Sequence, residues 1–224
     1  MPQRPSVVVF DVNETLSDLS PMADRFADLG VPGLMAKQWF AALLRDGFAL
    51  TAAGASEKFS VVGEGVLRTL LATEQLDRSL DHAVQHVMSG FTTLPIHPDV
   101  PDGVRALRAL GLRLVTLTNG STAIGHELLV QAGIRDAFET LLSVEDAGAW
   151  KPDPASYAYA ARTCGVDASK MLLVAVHPWD IDGAGRAGLS TAWVSRSGAD
   201  YPGHFRPPTH TVQALPELAA LLSA

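Results

Sequence analysis

The chain has 224 residues, 47% hydrophobic and 18% charged, enough to bury a sizeable core as one large domain or as a core with a smaller insertion. Its formal charge of -7 argues against a nucleic-acid partner, which needs a basic face, and leaves any anionic substrate to be caught by local cations. The lone Cys164 excludes an internal disulfide and a thiolate metal cluster, and reads as a small buried hydrophobe.

Met1 to Pro5 is too short and polar for a signal peptide. No stretch approaches the ~18 apolar residues of a membrane helix, so a cytoplasmic protein with no membrane partner is expected. Val7-Val8-Val9-Phe10 reads as a fully buried strand of a parallel sheet. From 17 to 95 the pattern is helical instead, with helices expected over 22–28, 33–46, 55–73 and 75–88. Pro95, Pro98 and Pro101 mark the return to a different pattern. A helix at 100–110 leads into a strand at 113–117. Strands at 140–143, 171–176 and 191–195 then alternate with helices at 121–132, 154–164 and 181–187. A short strand at 210–212 and a helix at 215–222 close the chain. Such alternation predicts an α/β fold, a doubly wound parallel sheet with helices on both faces. Residues 1–16 and 96–224 form the core domain, and 17–95 form a helical cap inserted after the first strand.

Asp11 follows the first strand directly, and a carboxylate there lies on the edge where open α/β sheets build their sites. Thr118-Asn119-Gly120, Lys151-Pro152-Asp153 and Asp180 each follow or flank another apolar run. An aspartate, a hydroxyl and amide pair, a lysine and a second acid on one edge point to a hydrolase. The stretch Asp11-Val12-Asn13-Glu14-Thr15-Leu16 resembles the first motif, D-x-x-x-T-L, of the haloacid dehalogenase superfamily. Leu117-Thr118-Asn119-Gly120-Ser121, Lys151-Pro152-Asp153 and His177-Pro178-Trp179-Asp180 resemble its second, third and fourth motifs, in order and over essentially the whole chain.

The resemblance implies a Rossmann-like core with a cap, and an aspartate that forms a covalent enzyme ester. By it, Asp11 is the nucleophile, Thr15 orients the site, and Thr118 and Asn119 contact nucleophile or substrate oxygens. Lys151 holds Asp11 ionised. Backbone N–H groups of Val12 and Asn13, and others around Asn119-Gly120, hold the substrate carboxylate.

Position 13 divides the superfamily. Its phosphatases carry there a second aspartate that protonates the leaving alcohol, and the amide of Asn13 cannot deliver that proton. A halide leaves without one. Tyr157 and the pair Trp179-Asp180 are similar to residues of the (S)-2-haloacid dehalogenases, the type II branch, where the acid helps activate water. Trp39, Phe40 and Phe59 offer an aromatic cap lining. Phe40 stands near where that branch carries a halide-binding arginine, with Arg45 five residues on. His177, beside Ala175, replaces the branch's asparagine; it is a candidate general base for ester hydrolysis, with Asp180 orienting it or sharing the task. Asp182 sits best in a first helical turn.

The expected activity is therefore hydrolysis of (S)-2-haloacids to (R)-2-hydroxy acids, with a small anionic substrate and no cofactor. A Mg²⁺-dependent phosphatase of small phosphomonoesters, with Asp180 as a metal ligand, is the alternative. A non-catalytic binding member of the fold is a third reading. Apolar cap helices suggest a homodimer.

Overall fold

A computed structural model describes residues 4–223. The apolar run Val7–Phe10 forms strand β1, buried at every position. Its side chains alternate between two cores, as the two-residue period of a strand requires: Val8 and Phe10 enter one, Val7 and Val9 the other.

The chain then leaves the sheet for helices α1 (Met22–Ala27), α2 (Met35–Ala52), α3 (Phe59–Leu71) and α4 (Leu80–Ser89). These pack around a third apolar cluster that includes Phe26, Trp39, Leu43, Leu67 and Phe91. The outgoing and returning segments are paired: Ser17 and Ile96 form an antiparallel bridge. The Asp18 N–H donates to the Pro95 carbonyl at 2.8 Å, and the His97 N–H to the Leu16 carbonyl at 2.9 Å.

After α5 (Val100–Ala109) come β2 (Arg113–Thr118), α6 (Thr122–Gln131), β3 (Thr140–Ser143), the single turn α7 (Val144–Ala147) and α8 (Pro154–Cys164). They are followed by β4 (Met171–Ala175), α9 (Pro178–Arg186), β5 (Ser190–Val194), β6 (His210–Val212) and α10 (Leu215–Ser223). All strand pairs are parallel, in the order β3-β2-β1-β4-β5-β6. Val100, Val104, Leu215 and Leu218 of α5 and α10 cover one face; Tyr157, Ala160, Ile181 and Ala184 of α8 and α9 cover the other. The order reverses between β1 and β4, so the crevice of this sheet opens at their C-terminal ends, where Asp11 and His177 stand.

Four helices differ from expectation. α3 starts at Phe59 rather than 55 and α4 at Leu80 rather than 75, because residues 53–58 and 72–79 serve as the connections between the helices. α9 starts at Pro178 rather than 181, because a proline fits the first helical turn, where its missing N–H costs nothing. α2 continues to Ala52 rather than stopping at 46. Gly47 lies inside it because the helix passes against the indole of Trp150, where a Cβ would fall 2.4 Å from the ring.

Trp150 belongs to the apolar cluster of the inserted helices although Lys151 follows it in sequence. Its Nε1 donates to the Glu57 carbonyl at 2.9 Å, its backbone N–H donates to Thr51 Oγ1 at 3.0 Å, and its ring stacks on Phe59. Among the described residues no helix is long and apolar enough to cross a membrane. With Phe59 on its other side the indole cannot swing away, so Gly47→Ala is expected to cost about 1–3 kcal/mol, as overpacking does. Urea denaturation monitored by tryptophan fluorescence measures the loss, and an unchanged midpoint would refute the packing argument.

Candidate active site

Asp11 begins the loop after β1 and is almost wholly buried, yet every hydrogen bond to its carboxylate comes from a side chain placed for it. Lys151 Nζ donates to Oδ1 at 2.9 Å, while Thr15 Oγ1 donates to Oδ2 at 2.7 Å. Thr15 Oγ1 in turn accepts the Val176 N–H at 3.1 Å, which fixes the hydroxyl's direction. The third partner of Asp11 is His177 Nδ1, 3.1 Å from Oδ2. Burial pushes the Asp11 carboxyl up, but Lys151, His177 and the Thr15 hydroxyl outweigh it and hold the group well below the usual carboxylate range. Asp11 is thus an anion at any ordinary pH.

Lys151 has no exposed surface. Its ammonium also donates to Asp180 Oδ2 at 2.6 Å, and Asp180 Oδ1 accepts the Tyr157 hydroxyl at 2.6 Å. Burial lowers the Lys151 pKa, but the charges of Asp11 and Asp180 more than restore it, so the amine stays protonated. For Asp180 the balance goes the other way: burial, joined by the Asp11 charge, raises it despite Lys151 and Tyr157. Burial, with the Asp180 charge beside it, lifts the Tyr157 phenol well above its ordinary value, so it remains a donor. Gly183 permits this cluster. A Cβ there would lie 2.6 Å from Pro152 Cβ and 2.7 Å from the Tyr157 hydroxyl, so only glycine lets α9 bring Asp180 up to Lys151.

His177 lies between two carboxylates, with Nε2 2.8 Å from Glu14 Oε2. Its ring stacks on Trp179 at 4.9 Å between centroids, and Phe40 of α2 lies at 6.3 Å. Burial lowers its pKa, but the hydrogen bonds and charges of Asp11 and Glu14 raise it to about 9. The imidazole is therefore a cation at neutral pH.

A family model for haloacid dehalogenase-like hydrolases matches residues 5–188, which takes in all of these groups. The chain belongs to the haloacid dehalogenase-like hydrolases. An (S)-2-haloacid dehalogenase of Pseudomonas sp. (strain YL) is 30% identical over 195 residues, covering 85% of this chain and 83% of that one. A dehalogenase solved as an intermediate complex superimposes with a TM-score of 0.91 at 26% identity, over 100% of both chains. The L-2-haloacid dehalogenase from Xanthobacter autotrophicus gives a TM-score of 0.87 at 25% identity, over 98% and 99% of the two chains.

Within this dehalogenase-like hydrolase, Asp11, Thr15, Lys151, His177 and Asp180 come together as one hydrogen-bonded chain. Other expectations are corrected. Asn119 makes no hydrogen bond to Asp11: its amide donates to the Lys151 carbonyl at 3.3 Å and accepts the Lys151 N–H at 3.0 Å, locking the lysine's backbone. The Gly120 N–H is spent on Thr118 Oγ1 at 2.9 Å. Tyr157 is sealed in the core on Asp180 and is not a pocket wall. Trp179 supports His177 from below and meets Phe48 edge-on. His177 has both nitrogens engaged, Nδ1 on Asp11 and Nε2 on Glu14.

Trp39, Phe40 and Phe59 all pack in the apolar cluster of the inserted helices, and Trp39 and Phe40 also border the cavity beside His177. Arg45 is 72% exposed and pairs with Asp46, away from the site. Asn13 approaches Gly120, and among the described residues nothing accepts from the N–H groups of Val12 and Asn13. The donor set does not fit a magnesium ion: Lys151 Nζ fills the gap between Asp11 and Asp180, and Arg186 and the Arg206 N–H occupy Asp182. Among the described residues no group of three or more His, Cys, Asp or Glu could hold a metal.

Two contributors escaped the sequence. Trp150 carried a signal, being the residue before a motif lysine. Glu14 carried none, because a backbone φ of 60° is invisible in composition.

The His177 charge makes stability depend on pH. Its folded pKa of about 9 lies above the ordinary 6.5, so its contribution is complete below 6.5 and disappears as pH rises through 9. His177→Asn is expected to lose on the order of 2–3 kcal/mol at pH 6. That loss should vanish above the folded pKa; urea titrations at the two extremes test it, and an equal loss at both would show that the imidazole is not charged.

Proposed function

We propose that this enzyme hydrolyses (S)-2-haloacids to (R)-2-hydroxy acids through an ester on Asp11. The observation that carries this reading is a buried aspartate held ionised by Lys151, His177 and Thr15, with an amide at position 13 where a leaving alcohol would need an acid. The names of its relatives support the substrate class: the Pseudomonas strain YL protein acts on (S)-2-haloacids, and a solved dehalogenase was captured with an intermediate.

In the first step an Asp11 oxygen attacks the α-carbon in line with the carbon–halogen bond. The halide departs with the bonding pair, and the α-carbon inverts. The substrate carboxylate is held in part by the N–H groups of Val12 and Asn13, an anion-binding concavity that needs no net charge. In the second step water attacks the Asp11 carboxyl carbon, not the α-carbon, so the inverted configuration survives into the hydroxy acid. Asp180 takes the water's proton and returns it to the departing hydroxy-acid oxygen as the acyl C–O bond breaks, which frees the Asp11 carboxylate. Burial raises its basicity above that of a surface carboxylate, while Lys151 keeps it aimed at the ester. Residues 17–95 act as the cap over a core of 1–16 and 96–224, excluding bulk water from the charged reactants. A phosphatase reading gains nothing, since Asn13 has no proton to give.

Halide release from (S)-2-chloropropionate in the presence of EDTA tests the reading, with chiral analysis of the lactate formed. The (S) enantiomer should turn over to (R)-lactate, and Asp11→Asn should lower kcat about 10⁴-fold or more, as loss of a nucleophile does. Phosphate release from phosphomonoesters without halide release would overturn it.

A further inference from the structure

Glu14 is the one non-glycine residue at positive φ among those described, at 60°. A glutamate held in a conformation that suits glycine marks a position where the side chain repays the strain. What it does is visible. Its carboxylate caps His177 Nε2 at 2.8 Å while its side chain stays 43% exposed. Its backbone carbonyl is anchored separately by His97 Nε2 at 3.0 Å. The side chain can therefore leave without moving the loop.

Glu14 and His177 border a cavity of about 850 Å³ between α1, α2 and the end of β5. The other charged groups on its wall are Asp18, Lys37, His97 and Arg196. Asp18 is committed to Ser20, and Arg196 to Asp99 and the Thr15 carbonyl. His177 Nε2 is thus a cationic donor one imidazole ring away from the nucleophile, held by a partner that is half in water. The Val12 and Asn13 N–H groups supply only part of an anion site, and the Gly120 N–H is already spent on Thr118 Oγ1.

We propose that the Glu14 carboxylate is a built-in stand-in for the substrate carboxylate, which displaces it from His177 Nε2 on binding. A carboxylate is the group that best replaces a carboxylate on a single N–H donor. Glu14 then sets the affinity of the free protein for short carboxylates, acting as a tethered competitor. The identity of the incoming carboxylate rests on the haloacid reading; the exchange itself does not.

Propionate, an unreactive short carboxylate, is titrated into the protein and followed by NMR of the His177 ring. Glu14→Gly suits the backbone and removes the competitor, and it should tighten propionate about tenfold, the factor by which a mostly occupied site weakens an incoming ligand. Glu14→Gln, which keeps a weaker hydrogen bond, should show a smaller gain. Asp18→Asn removes the same charge from the same cavity and should change affinity by less than about twofold, as a distant screened charge does. Adding His177→Asn to Glu14→Gly should abolish the gain. In turnover, Glu14→Gly should lower KM for the haloacid more than it changes kcat.

Unchanged or weaker propionate binding in Glu14→Gly overturns the proposal. An equal gain in Asp18→Asn also overturns it, as a field effect. Tightening of bromide but not propionate would assign Nε2 to the leaving halide instead. If the wild-type protein releases no halide, the haloacid reading fails while the propionate arms still decide the exchange.

Discussion

Lys151 is a fully buried ammonium within 3 Å of two carboxylates, and most of the molecule near the sheet edge is arranged so that it can exist there. Removing one partner from such a buried pair leaves an uncompensated charge, at about 3–5 kcal/mol. The constraint therefore reaches outward. Asp11 must stand at the end of β1, and Asp180 must be carried in on α9, which needs Gly183 and a proline start. The lysine's backbone must be gripped by Asn119, and Tyr157 must satisfy the Asp180 oxygen that Lys151 does not. The placement of these side chains and stability are one requirement here.

Around that pair the charges nearly balance. Asp11, Asp180 and Glu14 are set against Lys151 and His177, and no arginine side chain bonds to any of these carboxylates among the described residues. His177 is thus the second cation, and it replaces breadth of charge with direction. One nitrogen addresses Asp11, the other faces the cavity. The stacked Trp179 below and Phe40 nearby leave the ring little freedom to turn. Its raised pKa follows from its neighbours, the carboxylates of Asp11 and Glu14.

The sheet was legible because parallel strands buried on both faces read as short apolar runs: all six fall within a residue of where Val7-Val8-Val9-Phe10 and its counterparts placed them. The chemistry-bearing residues were legible as positions at strand ends. What a side chain bonds to was not. Asn119 looked like a contact to the substrate because it lies in the second motif, yet its amide donates to the Lys151 carbonyl, and the Tyr157 hydroxyl is turned onto Asp180. Such direction depends on rotamer and on packing partners far away in sequence, and neither leaves a trace in spacing. Glu14 was illegible for a similar reason, since its backbone conformation is decided by the turn it occupies.

Trp150 also constrains motion. The inserted helices join the sheet region through two strands of chain bridged at Ser17 and Ile96, and a body attached along one such line could swing like a door. The indole is a third attachment well off that line, gripped by Thr51, Glu57, Phe59 and the bare face of α2 at Gly47. Three non-collinear fixings define a plane, and a hinge with a bolt on its free side does not turn. The residue carrying the bolt is peptide-bonded to the lysine that holds Asp11, so the packing of the inserted helices and the charge network share one stretch of backbone.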